Sequence, residues 1–282
     1  MILVTGATGT VGGHVLRLLR EQPHPVRAMT RHPAAIPPSP GLEIAGADFD
    51  DPGTLARAVR GVRAVFLLTA PPSPSPRHDL ALLAAARSAG VAHIVKLSAI
   101  GAGAPAGAWH LAAEEALRAD GPAWTVLRPS SFASNTLRWA GAIATGTPVP
   151  NLTGPGRQGV VDPRDIAAVA VRALTRPGHE GRTYTLTGPE LLDVPAQARI
   201  LAEVLAGPVP TTDVLPRDAR DGLLRSGLDP AAVYEIIAGA SWARAGHNAV
   251  LTGDVARLLG RPATSFRTWA RDHRRAFSGP PR

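Results

Sequence analysis

The chain has 282 residues, 45% of them hydrophobic and 18% charged, with a mean hydropathy near zero. That balance supports one large domain, or one domain with a smaller unit attached, and excludes disordered and fibrous classes. Cysteine is absent, which excludes disulfides, thiolate catalysis and sulfur-ligated metal, so no metal is expected. The net charge is +8 and every basic residue except Lys96 is arginine. The arginines are dispersed, apart from a cluster at Arg267, Arg271, Arg274 and Arg275; without interleaved aromatics this reads as a solvated tail, and no nucleic-acid partner is expected.

The N-terminus begins directly on Met1-Ile2-Leu3-Val4 with no basic segment ahead of it, and no apolar run reaches the roughly 18 residues of a membrane span. A cytoplasmic protein without a membrane partner is the expectation. In the first half, short β-branched runs alternate with Ala/Leu/Arg segments. The pattern predicts strands at Met1–Thr5, Val26–Met29, Leu42–Ala45, Ala64–Thr69, His93–Leu97 and Thr125–Leu127. Helices are predicted at Val11–Arg20, Thr54–Arg60, His78–Ala89, His110–Ala119 and Ser131–Ala144. This is the rhythm of a doubly wound α/β fold with a parallel sheet. Proline-rich connections fall at 33–40 and 70–76, and Pro148 to Gly159 reads as a long crossing loop. Beyond it come a helix at Pro163–Thr175, with Asp162 as a cap, a strand at Arg182–Leu186 and a helix at Val194–Ala206. From Thr211 to Phe277 a short strand and three or four helices are expected. The division is therefore a dinucleotide-binding domain over 1–150 and a mixed region over 151–282, which completes the sheet and forms a smaller, mostly helical lobe.

The strongest local signal is Gly6-Ala7-Thr8-Gly9-Thr10-Val11-Gly12, directly after the strand Ile2–Val4 and opening a helix. Glycines let a backbone approach a pyrophosphate closely, and the helix start supplies free N–H groups and a favourable dipole. Gly6, Thr8, Gly9, Thr10, Val11 and Gly12 are thus candidate cofactor contacts. After the second strand, where an acidic residue would serve NAD, stands Met29-Thr30-Arg31-His32. The Arg31 fork, aided by the Thr30 hydroxyl, can pair with a 2′-phosphate, so NADP(H) is preferred over NAD(H). Asp48 and Phe49 are placed to flank the adenine, with plain core packing an equal alternative for Phe49.

Ligands bind at the carboxyl ends of such strands. Thr69, Ala70 and Pro71 at the end of the fourth strand are candidates to lie along the cofactor. Ser98, ending the fifth, can reach a substrate oxygen or the nicotinamide side, or cap a turn. Lys96 shares its strand face, near a cofactor phosphate or sugar or snorkelling to an edge. Pro129, Ser130, Phe132 and Asn135 follow the sixth strand and are placed to border nicotinamide and acceptor. Further on, Tyr234, Trp242 and His247 are candidates for a substrate lid. Asp162 and Asp165 read as structural.

These residues resemble the short-chain dehydrogenase/reductase superfamily, and more narrowly its atypical NmrA-like branch. The resemblance rests on the glycine run, Arg31, Leu127-Arg128-Pro129-Ser130-Ser131-Phe132 with Asn135, Tyr184-Thr185-Leu186-Thr187-Gly188-Pro189, and the terminal helices at 254–260 and 266–270. It implies a Rossmann fold and two outcomes: NADPH-dependent quinone, azo-dye or triphenylmethane-dye reductases, and cofactor-binding sensors with little catalysis. The Tyr-x-x-x-Lys pair of ordinary members is missing. His110-Leu111-Ala112-Ala113-Glu114 stands in that region and resembles a His-x-x-x-Glu variant. His110 could donate a proton, its ring oriented by Glu114 at i+4, or serve as a hydrogen-bond partner. The leading expectation is an NADPH-dependent reductase acting on a small planar conjugated acceptor, a quinone or similar aromatic molecule, as a monomer or homodimer. A cofactor-sensing regulator and a tailoring ketoreductase are the alternatives.

Overall fold

A computed structural model describes residues 1–69, 74–104 and 107–277 of the chain. Its main sheet has the strand order β3-β2-β1-β4-β5-β6-β8. The strands are β1 Ile2–Val4, β2 Val26–Thr30, β3 Leu42–Gly46, β4 Ala64–Leu67, β5 His93–Leu97, β6 Ala123–Pro129 and β8 Arg182–Leu186. The ladders joining β1, β2, β3, β4, β5 and β6 are all parallel. Bonds from Gly181 N to Trp124 O and from Ser130 N to Leu186 O run β8 the same way along β6. The order reverses at β1, so the crevice of this doubly wound sheet opens between the ends of β1 and β4. Central strands are covered on both faces, which is why β4 and β5 are buried at every position and β4 reads as a continuous apolar run.

Helices α1 Thr10–Arg20, α2 Pro52–Ala58, α3 Arg77–Ser88 and α4 Ala108–Asp120 lie between the early strands, and α6 Pro163–Thr175 precedes β8. On α1, Val11, Val15, Leu16 and Leu19 are buried, a spacing that gives one apolar stripe against the sheet.

The chain divides into two compact units. Unit 1 comprises 1–103, 107–128 and 166–185; unit 2 comprises 104–106, 129–165 and 186–282. The second half thus returns to unit 1 to complete the sheet with α6 and β8. Unit 1 has its own core, including Leu3, Val65, Leu67, Leu82 and Ile94. In unit 2 a separate core gathers Val160, Leu192, Leu201, Phe266 and Trp269, with residues of α7 Val194–Leu205 and α11 Phe266–Asp272; the unit also contains α8 Pro216–Arg225, α9 Pro230–Arg244 and α10 Asp254–Leu259.

Two local expectations are corrected. The single helix expected over Ser131–Ala144 is a 3-10 segment, Ala133–Trp139, followed by α5 Ala140–Thr145. Its start is delayed because Ser131 and Ala133 bond Val161 through Val161 N to Ser131 O and Ala133 N to Val161 O, keeping Phe132 extended. The crossing loop at 148–159 contains a strand, β7 Val149–Asn151, paired in parallel with β9 Thr211–Asp213. Three residues are too few for alternation to show. No helix among the described residues is long and apolar enough to cross a membrane.

A Cβ at Gly12 would lie 2.1 Å from the Gly6 carbonyl oxygen. Gly12→Ala is therefore expected to destabilise the fold by on the order of 1–3 kcal/mol through overpacking, read as a lower urea midpoint. An unchanged midpoint would show that turn and helix can separate without cost.

Candidate active site

The glycine turn is built by geometry that only its residues permit. Gly6 has φ +59° and a Cβ there would meet the Leu68 side chain at 3.0 Å; left-handed backbone of this kind favours glycine. Gly9 N donates to Gly6 O at 2.9 Å, closing the turn. Gly9 caps α1 without a side-chain bond, and the first bond across the helix start runs from Gly13 N to Gly9 O at 2.8 Å. The Thr10, Val11 and Gly12 N–H groups therefore have no partner one turn back. Thr8, Gly9 and Thr10 are exposed, while Val11 and Gly12 are buried and contribute through their backbone. A strand end, a turn with no side chain in the way and an uncapped helix start fit a dinucleotide pyrophosphate.

Beside the turn lies a cleft of about 270 Å³ lined by Gly6, Thr8, Gly9, Thr30, Arg31, Asp48 and Phe49, with Met29, His32, Ala47, Leu68 and His78. The structure thus brings the first seven together as the sequence led us to expect, and adds the last five. Arg31 is exposed at its rim. The Thr30 hydroxyl accepts from His32 N at 3.1 Å, so it shapes the rim with its oxygen. Phe49 stacks on His78 with ring centroids 5.2 Å apart while also packing on the unit 1 core, so the core alternative holds, and its ring also lines the cleft. His78 is held by Asp50 at 3.1 Å. Its contribution, from 29 residues beyond Phe49, carried no motif. Arg27 is turned elsewhere, bonding Glu43 at 2.7 Å and the carbonyls of Ala58 and Arg60. A larger, open groove of about 550 Å³ between α2 and α3 is lined largely by small residues, with Arg60 its one titratable group, and offers no comparable constellation.

At the ends of β4 and β5 the structure redistributes the expected roles. Lys96 is fully buried and its Nζ lies 2.6 Å from Asp79 Oδ1, while the Thr69 hydroxyl donates to Asp79 Oδ2 at 2.8 Å. Lys96 was expected beside a cofactor phosphate or sugar, or at an edge; instead its ammonium is spent on Asp79, because an unpaired buried charge would be costly. The Thr69 hydroxyl is likewise engaged, which leaves only its backbone for the role expected of it. Ala70 and Pro71 lie outside the described residues. Ser98 is buried and donates to Glu114 Oε1 at 2.5 Å. Glu114 also accepts from Arg128 and Arg118, so it does not orient the His110 ring. The His110 Nδ1 atom is buried without a partner among the described residues. Trp109 stacks on the ring with centroids 3.6 Å apart. Burial, reinforced by the Lys96 charge, lowers the His110 pKa to about 3 against the pull of Glu114. The ring is neutral at pH 7.

In unit 2, Pro129 closes β6 and Phe132 precedes the 3-10 segment, half-buried. Asn135 is exposed, its Nδ2 3.5 Å from Ser131 Oγ. Tyr234 is 59% exposed on α9, and Trp242 stacks on the exposed His247 with centroids 5.8 Å apart. A buried chain missed in the sequence joins Ser130 Oγ to Asn248 Oδ1 at 3.0 Å and Asn248 Nδ2 to Gln158 Oε1 at 2.9 Å. Asp162 accepts from the N–H and guanidinium of Arg164. Asp165, fully buried, is bound by Arg261 and by the N–H and hydroxyl of Thr264. Both are structural, as expected.

Residues 6–177 match an NAD(P)H-binding family. The chain belongs to that family. It is 40% identical to the (4-alkanoyl-5-oxo-2,5-dihydrofuran-3-yl)methyl phosphate reductase of Streptomyces griseus, over 99% of each chain. It is 35% identical to the NAD(P)H azoreductase of Xenophilus azovorans, over 98% of this chain and 99% of that one. Among solved structures it is similar to an NADPH-dependent quinone oxidoreductase from Escherichia coli complexed with NADPH, with TM-score 0.87, 26% identity, and 96% and 98% of the two chains covered. The NmrA-like resemblance therefore holds, and the protein is an NAD(P)H-dependent oxidoreductase with a Rossmann fold.

Two outcomes follow from the buried groups. Asp79→Ala strands the Lys96 ammonium and is expected to cost roughly 3–5 kcal/mol in a urea titration, with most of it recovered by replacing both partners with apolar residues. His110 takes up its proton near 6.5 when unfolded and near 3 when folded, so its contribution is complete above pH 6.5 and declines as pH falls towards 3. His110→Gln is expected to flatten the slope of stability against pH over that range without abolishing it, since burial also lowers the His93 pKa. An unaltered slope would contradict the buried neutral ring.

Proposed function

We propose that the protein is an NADPH-dependent reductase that passes hydride to a small planar conjugated acceptor, with a quinone as the representative substrate. The observation that carries this reading is the proton inventory at the ends of β5 and β6. His110 is neutral, Glu114 is held below its ordinary range by Arg128 and Ser98 despite its burial, and Lys96 is locked to Asp79. An ordinary ketone needs a proton donor as hydride arrives; a quinone or conjugated lactone yields a stabilised anion that water can protonate. Bound NADPH supplies the hydride. The residues of the chain bind and orient.

In this reading the β1–α1 turn holds the pyrophosphate on its free N–H groups. Arg31 takes the 2′-phosphate at the rim of its cleft, Asp48 and Phe49 flank the adenine, and His110 serves as a neutral hydrogen-bond partner. Phe132, Asn135, Tyr234, Trp242 and His247 are the unit 2 residues assigned to the acceptor. The 40% identity over the whole chain to a furanone phosphate reductase favours a second acceptor of the same electronic kind, a conjugated unsaturated lactone carrying a phosphate.

Oxidation of NADPH followed against a panel of benzoquinones, naphthoquinones and butenolide phosphates is expected to saturate with at least one of them. The kcat should show no ionisation near pH 6.5. Arg31→Glu should raise the NADPH KM roughly tenfold to a hundredfold and change the NADH KM far less, the loss of a charged hydrogen bond. Tight NADPH binding with no acceptor reduced would sink the reading and leave a cofactor-sensing protein.

A further inference from the structure

The least explained cluster in unit 1 stands at the carboxyl end of β5. Glu114, fully buried on α4, has both oxygens occupied. Oε1 accepts from Ser98 Oγ at 2.5 Å and Arg128 Nε at 3.0 Å; Oε2 accepts from Arg128 Nη2 at 2.6 Å and Arg118 Nη2 at 2.8 Å. A carboxylate beside two guanidinium groups is ionised, and an ionised carboxylate only accepts. The Ser98 proton is therefore committed to Glu114. What Ser98 Oγ has left is lone pairs, so the ligand group it can meet is an N–H or O–H donor and not the oxygen of a carbonyl acceptor.

We propose that Glu114 is a positioning residue that fixes Ser98 as a hydrogen-bond acceptor for the carboxamide N–H of the nicotinamide. The proposal rests on the cofactor placement given above. With the adenine end in the cleft at β2 and β3 and the pyrophosphate on the β1–α1 turn, the remainder of a dinucleotide runs over the strand ends on the other side of β1. Those are β4 and β5 in the sheet order, and Ser98 directly follows β5. The carboxamide is the nicotinamide ring's one N–H donor. One helical turn before Glu114, the buried Nδ1 of His110 also has no partner among the described residues, which leaves a second polar atom at this end of α4 able to meet a ligand. Such a serine holds the ring of the cofactor; it does not polarise the acceptor.

The test compares NADPH with its 3-acetylpyridine analogue, in which a methyl ketone replaces the carboxamide and no N–H remains. Dissociation constants are read by fluorescence titration of the wild type, Ser98→Ala, Ser98→Thr and Glu114→Gln, each first checked for a cooperative melt. The wild type is expected to favour NADPH by about three- to tenfold, the value of one hydrogen bond. Ser98→Ala should bind both alike, and Ser98→Thr should restore the preference. Glu114→Gln, whose amide can donate to Ser98 and free its hydroxyl, should shrink it. Equal preference in the wild type and Ser98→Ala overturns the contact, and full preference in Glu114→Gln overturns the positioning role. If Glu114→Gln does not fold, the serine pair still decides the contact on which the role depends. A wild type that discriminates between the two ligands yet reduces no acceptor defeats only the reductase reading; one that binds neither defeats both.

Discussion

The close approach of α1 to the turn before it is the constraint on which the rest of the site depends. The Gly12 backbone sits against the Gly6 carbonyl with no room for a side chain between them, and this lets the helix begin as soon as β1 ends. Three consequences follow from that contact. The first N–H groups of α1 emerge at the carboxyl edge of the sheet, the left-handed Gly6 brings the turn under Leu68 at the end of β4, and the cleft at β2 and β3 opens beside it. Shifting the helix by the width of a methyl group would separate the free N–H groups of the helix start from the cleft rim at Arg31.

Buried carboxylates provide the second layer of order. Asp79 ties α3 to the ends of β4 and β5 through Thr69 and Lys96, and Glu114 ties α4 to the ends of β5 and β6 through Ser98 and Arg128. In unit 2, Asp165 anchors the segment at Arg261 and Thr264 in the same manner. In each case a charge taken out of water is matched by several donors, so its net contribution to stability is modest while loss of a single partner is expensive. The arrangement favours geometric definition: the strand ends where ligands bind are held by directional bonds.

Much of this was legible in the sequence because it is local. The glycine run, Arg31 after β2 and the apolar positions of β4 and α1 each declare themselves within a dozen residues, and in the structure the glycine turn and Arg31 line one cleft. What was not legible depends on long-range pairing. Lys96 and Asp79 are 17 residues apart and meet only because α3 packs beside β5. Spacing suggested that Glu114 served His110 one turn away, but Arg128, 14 residues further on, and Ser98, 16 residues back, compete for the carboxylate with stronger bonds. The helix expected from Ser131 failed for the same reason: its first residues were already committed to Val161. The strand β7, too short to show a period, is defined by its partner β9.

The missing Tyr-x-x-x-Lys pair has a structural counterpart in these long-range bonds. In a tyrosine and lysine arrangement, an ammonium close to a phenol makes the phenol a ready proton donor. Here the chain's single lysine is neutralised by Asp79, and the residue standing where the phenol would be is an imidazole kept unprotonated by its surroundings. The end of β5 is thus built of a neutral ring and tied charges, and in the proposed reading the proton comes from solvent, which favours acceptors that tolerate its late arrival.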